Sequence, residues 1–328
     1  MRNGGGVAAC VVAALLAACG TDEGPAPSAD AWQEAKIDGL EHASGVTAWR
    51  DRLLFSSSSS KSVFEVRADE VKGGATVRCR AVPLDVDGER EASFTDTAGV
   101  RSFRLKHLWE GEQRFSGLVV VAPELLYVAS ESYRLVWFGP LEVAKDGSPV
   151  RCRFERAFAA PGAHRKKADA SDWHDYGDDT ATNGICGLCA AGEDVAVIER
   201  AKGADQAFAY RLDRLSGSTT GVATLALPVQ TVKGASWFSD IARDGTGFLV
   251  AKAIVDDGSA ETQILRLARI DVGDIVMGGP RVDTVYDVPA VPPERTAEGV
   301  CLADGRLWLV CGDGTVSSPT TVRWRTHR

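Results

Sequence analysis

Acidic side chains recur at corresponding places along this chain of 328 residues. Glu131, Glu199, Asp240, Glu298 and Asp313 stand at the ends of short apolar runs. Brought to one opening, such carboxylates could work as general acid and base. They could instead hold a hard cation such as Ca²⁺, which takes roughly six to eight oxygen ligands. The same positions could equally serve as hydrogen-bonding residues between repeated units. A second group, Asp172, His174, Asp175, Asp178 and Asp179, crowds into eight residues. Its density suits Ca²⁺, with Asp175 and Asp178 as candidate ligands beside Glu131, Glu298 and Asp313. Its spacing departs from the EF-hand pattern, and a solvated acidic loop is the plainer reading.

The other reactive residue types are less suggestive. Cys186-Gly-Leu-Cys189 lies in a strand-like run, whereas a thioredoxin-type redox pair opens a helix. Zinc would need two further ligands at short spacing. His42, His107, His164 and His327 show neither ligand spacing nor a paired nucleophile. No Gly-x-Ser-x-Gly elbow occurs, which disfavours a serine hydrolase of the α/β type.

The elements that would position these residues are strands. Asp-Gly pairs fall at 38–39, 87–88, 146–147, 244–245, 257–258, 304–305 and 313–314. Both residues tolerate positive φ, so such pairs between apolar runs mark hairpins. Residues Val300 to Val310 read as one hairpin around Asp304-Gly305. The unit recurs: Ser44-Gly45-Val46, Ser116-Gly117-Leu118, Cys186-Gly187-Leu188, Ser239-Asp240-Ile241 and Glu298-Gly299-Val300 each precede a second apolar run. Val77-Arg78-Cys79-Arg80 also returns 73 residues later as Val150-Arg151-Cys152-Arg153. Repeated hairpins of this kind predict an all-β fold, a β-propeller, with a β-sandwich pair or barrel as the rival. From Gly39 to Thr326 there are 288 residues. At roughly 40–45 residues per blade the count is six, or seven.

Asn183-Gly184-Ile185-Cys186-Gly187-Leu188 followed by Val195 to Glu199 resembles a phrase of the bacterial phytase-like family, also called the esterase-like domain of phytase. Phe238 to Ala242 with Asp244-Gly245 and Phe248-Leu249-Val250, and Glu298-Gly299-Val300 with Asp304-Gly305, resemble two further phrases of that family. The resemblance covers most of residues 40–315. It implies a propeller, export, and a metal-assisted phosphoester or ester hydrolase with Glu298, Asp240 and Glu199 near its site and Ca²⁺ as cofactor. The family's repeated Glu before Gly-Leu survives only as Glu298, with Ser44, Ser116 and Cys186 in the equivalent places. That loss favours the alternative, a non-catalytic propeller binding a small molecule or an envelope protein.

The N-terminus reads as an address. Arg2, the apolar run from Val7 to Leu16, and Leu16-Ala17-Ala18-Cys19 form a secretory signal too short to span a bilayer. Its end resembles the lipobox of bacterial lipoproteins, in which the cysteine is acylated. Residues 1–18 are thus expected to be cleaved, 19–36 to carry the lipid on Cys19 and act as a tether, and 37–328 to form a single domain. Gly20 after the cysteine points to the outer membrane, facing the periplasm or the cell surface. Six cysteines then remain in an exported domain, an even number that favours disulfides. A net charge of −8 argues against nucleic acid as a partner. A monomer held by its lipid anchor is the expected form.

Overall fold

The hairpin read at Val300 to Val310 forms as expected. Its turn is Asp304-Gly305 with φ of 50° and 67°, the left-handed pair that matches the twist of a two-residue hairpin. The protein, a computed structural model, is described over residues 31–96, 99–111, 113–121, 124–159, 182–201, 206–214, 216–226, 235–245, 247–256, 259–267, 282–288, 296–312 and 319–327.

Strand β1 (Gln33–Asp38) leads into blade one, made of β2 (Ala43–Trp49), β3 (Arg52–Ser57), β4 (Ser62–Arg67) and, after the short β5 (Thr76–Arg78), β6 (Arg80–Val86). A hairpin, β7 (Glu91–Asp96) and β8 (Gly99–Arg104), and the one-turn helix α1 (Leu105–Trp109) follow. Blade two is β9 (Phe115–Val121), β10 (Leu125–Ser130), β11 (Leu135–Val143) and, beyond β12 (Pro149–Phe154), β13 (Arg156–Ala159). Blade three is β14 (Thr182–Ala191), β15 (Asp194–Ala201), β16 (Gln206–Leu212) and β17 (Thr219–Ala226). Blade four is β18 (Ala235–Asp244), β19 (Gly247–Asp256), β20 (Ser259–Leu267) and β21 (Val282–Val288). Blade five is β22 (Gly299–Ala303), β23 (Arg306–Cys311) and β24 (Thr320–Thr326), completed by β1 from the other end of the chain.

The first strands of the blades, β2, β9, β14, β18 and β22, lie side by side in that order, and β22 returns to β2. This closed ring makes the all-β fold a propeller. Among the described residues it holds five blades, where the length arithmetic gives six or seven. The surplus residues go into additions rather than blades. The β7–β8 hairpin and α1 sit outside the ring, with Leu105 and Leu108 buried in the layer between blades one and two. Strand β12 pairs with β11 and runs parallel to β6, so the outer edges of those two blades join in one nine-stranded sheet. The Val-Arg-Cys-Arg echo falls on β5 and the start of β6 at 77–80 and within β12 at 150–153, so it marks outer strands and not a further blade.

The core is the set of apolar layers between blades. Leu54 and Val63 of blade one meet Leu126 and Trp137 of blade two. Val119 and Tyr127 of blade two meet Val195 and Val197 of blade three. Ile37 of β1 packs with Phe55, Trp308 and Val322, which seals blade five to blade one. The closure also has a polar tie: the buried Thr320 hydroxyl donates to the Leu40 carbonyl at 2.8 Å. Thr320→Val leaves that carbonyl unpaired and is expected to cost about 1–2 kcal/mol, measured by urea unfolding.

All six described cysteines are free thiols, so the disulfide expectation is not met. They are spread over different surroundings. Cys186 directs its sulfur at the Ile198 carbonyl and Cys152 at the Gly139 carbonyl, while Cys301 lies in the layer beneath Trp308. Burial pushes the Cys186 thiol up to about 12, which leaves it protonated and inert at neutral pH.

Candidate functional site: the axial mouth

Each innermost strand carries an irregularity at the same height. In β2 the ladder skips Ser44, in β14 it skips Cys186 and in β18 it skips Ser239. Opposite β10, Ser116 and Gly117 of β9 share the span of Ala129. In blade five the amide of Glu298 and the strand residue Gly299 both address Val310. An extra residue in a strand turns its side chain out of the regular alternation. Here the five re-aimed residues, Ser44, Ser116, Cys186, Ser239 and Glu298, all line one cavity of about 350 Å³ over the ring.

The next residue in each strand forms the floor beneath. These are Gly45, Gly117, Gly187, Asp240 and Gly299, and the strands approach so closely there that side chains do not fit. A Cβ on Gly187 would lie 2.8 Å from the Asp240 Cα, and one on Gly299 would lie 2.7 Å from the Gly45 Cα. Asp240 is the exception because its carboxylate occupies the middle of the ring. Its Oδ1 accepts the Ile241 amide at 2.8 Å and its Oδ2 accepts the Val300 amide at 2.9 Å. The amides of Leu188 and Val46 also donate to it. One side chain thus gathers backbone donors from four of the five blades. Burial holds its pKa well above the ordinary carboxylate range, against the pull of those four amides.

Asp240, expected to be catalytic, thus lies in the floor beneath the mouth with its carboxylate taken up by backbone amides. Glu199, the second expected catalytic residue, is also withdrawn. It is only 1% exposed and is not among the residues lining the mouth. Its strand face carries Val195 and Val197 into the layer against blade two. Burial pushes its pKa up to about 7, with the Arg134 charge working the other way, and its Oε1 has no hydrogen-bond partner.

Two expected residues do meet in the mouth. Glu298 projects from the start of β22 and accepts a hydrogen bond from the Thr296 hydroxyl at 3.1 Å. Glu131, after the end of β10, pairs with Arg200 of the adjoining blade at 3.5 Å. Burial raises the Glu298 carboxyl above its usual range; the Arg200 charge lowers it and the Glu131 charge raises it further. Glu131, Arg200 and Glu298 thus form one electrostatic group. The four of the repeated acids that lie among the described residues do not occupy equivalent places. Glu131 corresponds to Arg200 in the next blade, Glu199 lies one residue earlier, and Asp240 and Glu298 sit on innermost strands at successive heights.

Asp175, Asp178 and Asp313, expected as metal ligands, lie outside the described residues, as does Cys19. Among the described residues no group of three or more His, Cys, Asp or Glu is arranged to hold a metal ion. Of the expected ligands, Glu131 and Glu298 are the two that the described residues bring to the mouth. No described helix is long and apolar enough to cross a membrane.

The residues to which the sequence assigned no role are two arginines and a histidine. Arg200, Arg114 and His42 all line the mouth. A signal for two of them was present: His42 and Arg114 each stand two residues before the Ser-Gly of their unit.

No family model and no curated protein matches the sequence. Solved structures are similar to it only distantly. A luciferin-regenerating enzyme is 12% identical with a TM-score of 0.46, over 90% of this chain and 95% of that one. The PQQ-bound form of an aldose sugar dehydrogenase from Streptomyces coelicolor is 11% identical with a TM-score of 0.45, over 90% and 98%. A gluconolactonase from Xanthomonas campestris is 12% identical with a TM-score of 0.39, over 87% and 86%. These are likenesses of fold alone, and the propeller architecture of this chain stands on its own ring of inner strands.

Proposed function

We propose that the protein is an envelope-anchored binding propeller, held by a lipid on Cys19, that takes a small polar ligand in its axial mouth. The observation that carries this reading is the lining: five re-aimed side chains and the Glu131–Arg200–Glu298 group converge on one cavity. Ligand sites for drug-like molecules are mostly apolar with a few polar groups; this one is lined mainly by polar side chains, which suits a hydrophilic ligand. Two of the three acids required by the hydrolase reading lie outside that cavity, which also favours binding without turnover. The acyl anchor, the outer-membrane address and the monomeric state belong to the same proposal.

A calorimetric panel of neutral and charged hydrophilic molecules tests it. Saturable binding is expected, with Arg200→Ala weakening it about tenfold or more, since a charged hydrogen bond contributes roughly 1.5–3 kcal/mol. A mouth that binds none of the panel overturns the proposal.

One observation favours a second reading, hydrolysis of phosphoric or carboxylic esters, to which the phytase-like phrases also point. Glu298 faces the mouth, and burial raises its pKa, the direction that favours a general acid. Turnover of a phosphomonoester and carboxylester panel, with and without Ca²⁺, would establish it if Glu298→Gln abolished the activity. Absence of turnover in the wild type would remove it.

A further inference from the structure

The mouth contains a cation that its neighbours leave unused. Glu131 and Arg200 are paired with each other, and Glu298 is held by Thr296 and by the Arg200 field. Arg114, an exposed residue of the lining, has no side-chain hydrogen bond or ion pair among the described residues. Its own carbonyl is fixed by the Glu131 amide at 3.0 Å, so the backbone that carries it is held in place.

That backbone is also in an unusual state. Arg114 has φ of 40°, His42 at the corresponding position of blade one has 48°, and the third corresponding residue, Gly184, has 110°. The left-handed region suits glycine and strains a side-chain-bearing residue. Glycine stands in blade three, where a Cβ would in any case collide with Glu131. In blades one and two an imidazole and a guanidinium are kept at positions where glycine would be unstrained, and both point to the cavity lining.

The serines of the lining add a second requirement. The Ser116 hydroxyl donates to the Ile185 carbonyl at 2.6 Å, and the Ser44 hydroxyl donates to the Phe115 carbonyl. With their protons committed to the next blade, these oxygens can only accept from a ligand. The mouth therefore offers acceptors below and a free guanidinium at its side.

We infer that the mouth takes the oxyanion of a polyhydroxylated small molecule, a carboxylate or a phosphate, on Arg114, with His42 of the adjoining blade as its flank and the ligand hydroxyls donating to Ser44 and Ser116. The inference rests on the binding reading above and names its ligand class. In a chain of net charge −8 such selectivity needs a local cation, and Arg114 is placed to supply it.

Three matched probes, glucose, gluconate and glucose 6-phosphate, together with inorganic phosphate, test the inference by calorimetry on the full mature chain. An anionic sugar is expected to bind at least about tenfold tighter than glucose, the scale of one charge-assisted contact. Whether gluconate or glucose 6-phosphate gains more separates a carboxylate site from a phosphate site, with inorganic phosphate reporting the anion alone. Arg114→Gly should remove the preference while leaving the thermal midpoint equal to or above that of the wild type, because glycine relieves the backbone. Arg114→Lys should keep part of the preference. Equal binding of glucose and its anionic forms, or a preference untouched by Arg114→Gly, would overturn the inference while the binding reading stood. Failure of all four probes also overturns it, and the wider panel then decides the binding reading separately.

Discussion

Asp240→Ala should lower the free energy of unfolding by about 4 kcal/mol, through two or more buried backbone donors left unpaired at roughly 1–3 kcal/mol each. The carboxylate that disappears accepts the Ile241 and Val300 amides at 2.8 and 2.9 Å and draws in those of Leu188 and Val46. No water-filled alternative is offered by a floor of glycine backbones in mutual contact. For a domain of this size the midpoint of thermal unfolding should fall by about 10 °C. Asp240→Asn is the sharper variant: it preserves volume but turns an acceptor into an NH₂ facing an amide, and about 2 kcal/mol of loss is expected from the one contact inverted. Urea titration of both variants measures the effect. A midpoint unchanged in Asp240→Ala would mean that the blades do not depend on this carboxylate.

The second large effect depends on pH. Glu199 has a folded-state pKa of about 7 against an ordinary value of 4.5, because it is buried in the layer between blades two and three. A carboxyl whose pKa is raised by folding binds its proton more tightly in the native state. Its contribution is fully present below the ordinary value and is lost as pH rises from 4.5 through about 7. The loss amounts to about 3 kcal/mol by proton linkage. Glu199→Gln, which stays neutral, should match the wild type near pH 4 and exceed it by about 2–3 kcal/mol at pH 8. Asp240 and Glu298 are shifted in the same direction, so the variant should retain a weaker fall in stability with rising pH. Urea unfolding at a series of pH values reads both slopes; a variant that follows the wild-type curve would show that Glu199 does not titrate in that range.

The strand-and-turn alternation was legible because it is local. The Asp304-Gly305 hairpin follows from the φ tolerance of two residues, and the Ser-Gly phrases marked the innermost strands correctly. The blade number was not legible, since a length divided by an average cannot separate a blade from the β7–β8 hairpin, α1 and the stitching strand β12. The candidate site was half legible. Glu131 and Glu298 meet because corresponding heights in a propeller converge on its axis. Asp240 and Glu199 differ from them by a single residue step, and one step along a strand reverses the direction of a side chain. Only the positions of the ladder irregularities separate a mouth-facing Glu298 from an axial Asp240. Arg114 was missed because its left-handed backbone leaves no trace in an arginine's identity, and its place two residues before Ser116-Gly117 gains meaning only once those residues are seen to line the mouth.

Pairing of Gln33 with Trp324 ties the maturation of this molecule to its length. Four blades can form from neighbouring segments, but the fifth needs a strand from each extremity. During synthesis the β1 segment can pair early with β5, but its other edge must wait for β24 until almost the entire domain has emerged. A nascent chain stopped before Thr320 is therefore an open arc with a bare edge, prone to join another such arc. Proteolytic loss of β1 or of β24 should have the same outcome, and closure of the ring comes down to whether these two strands find each other.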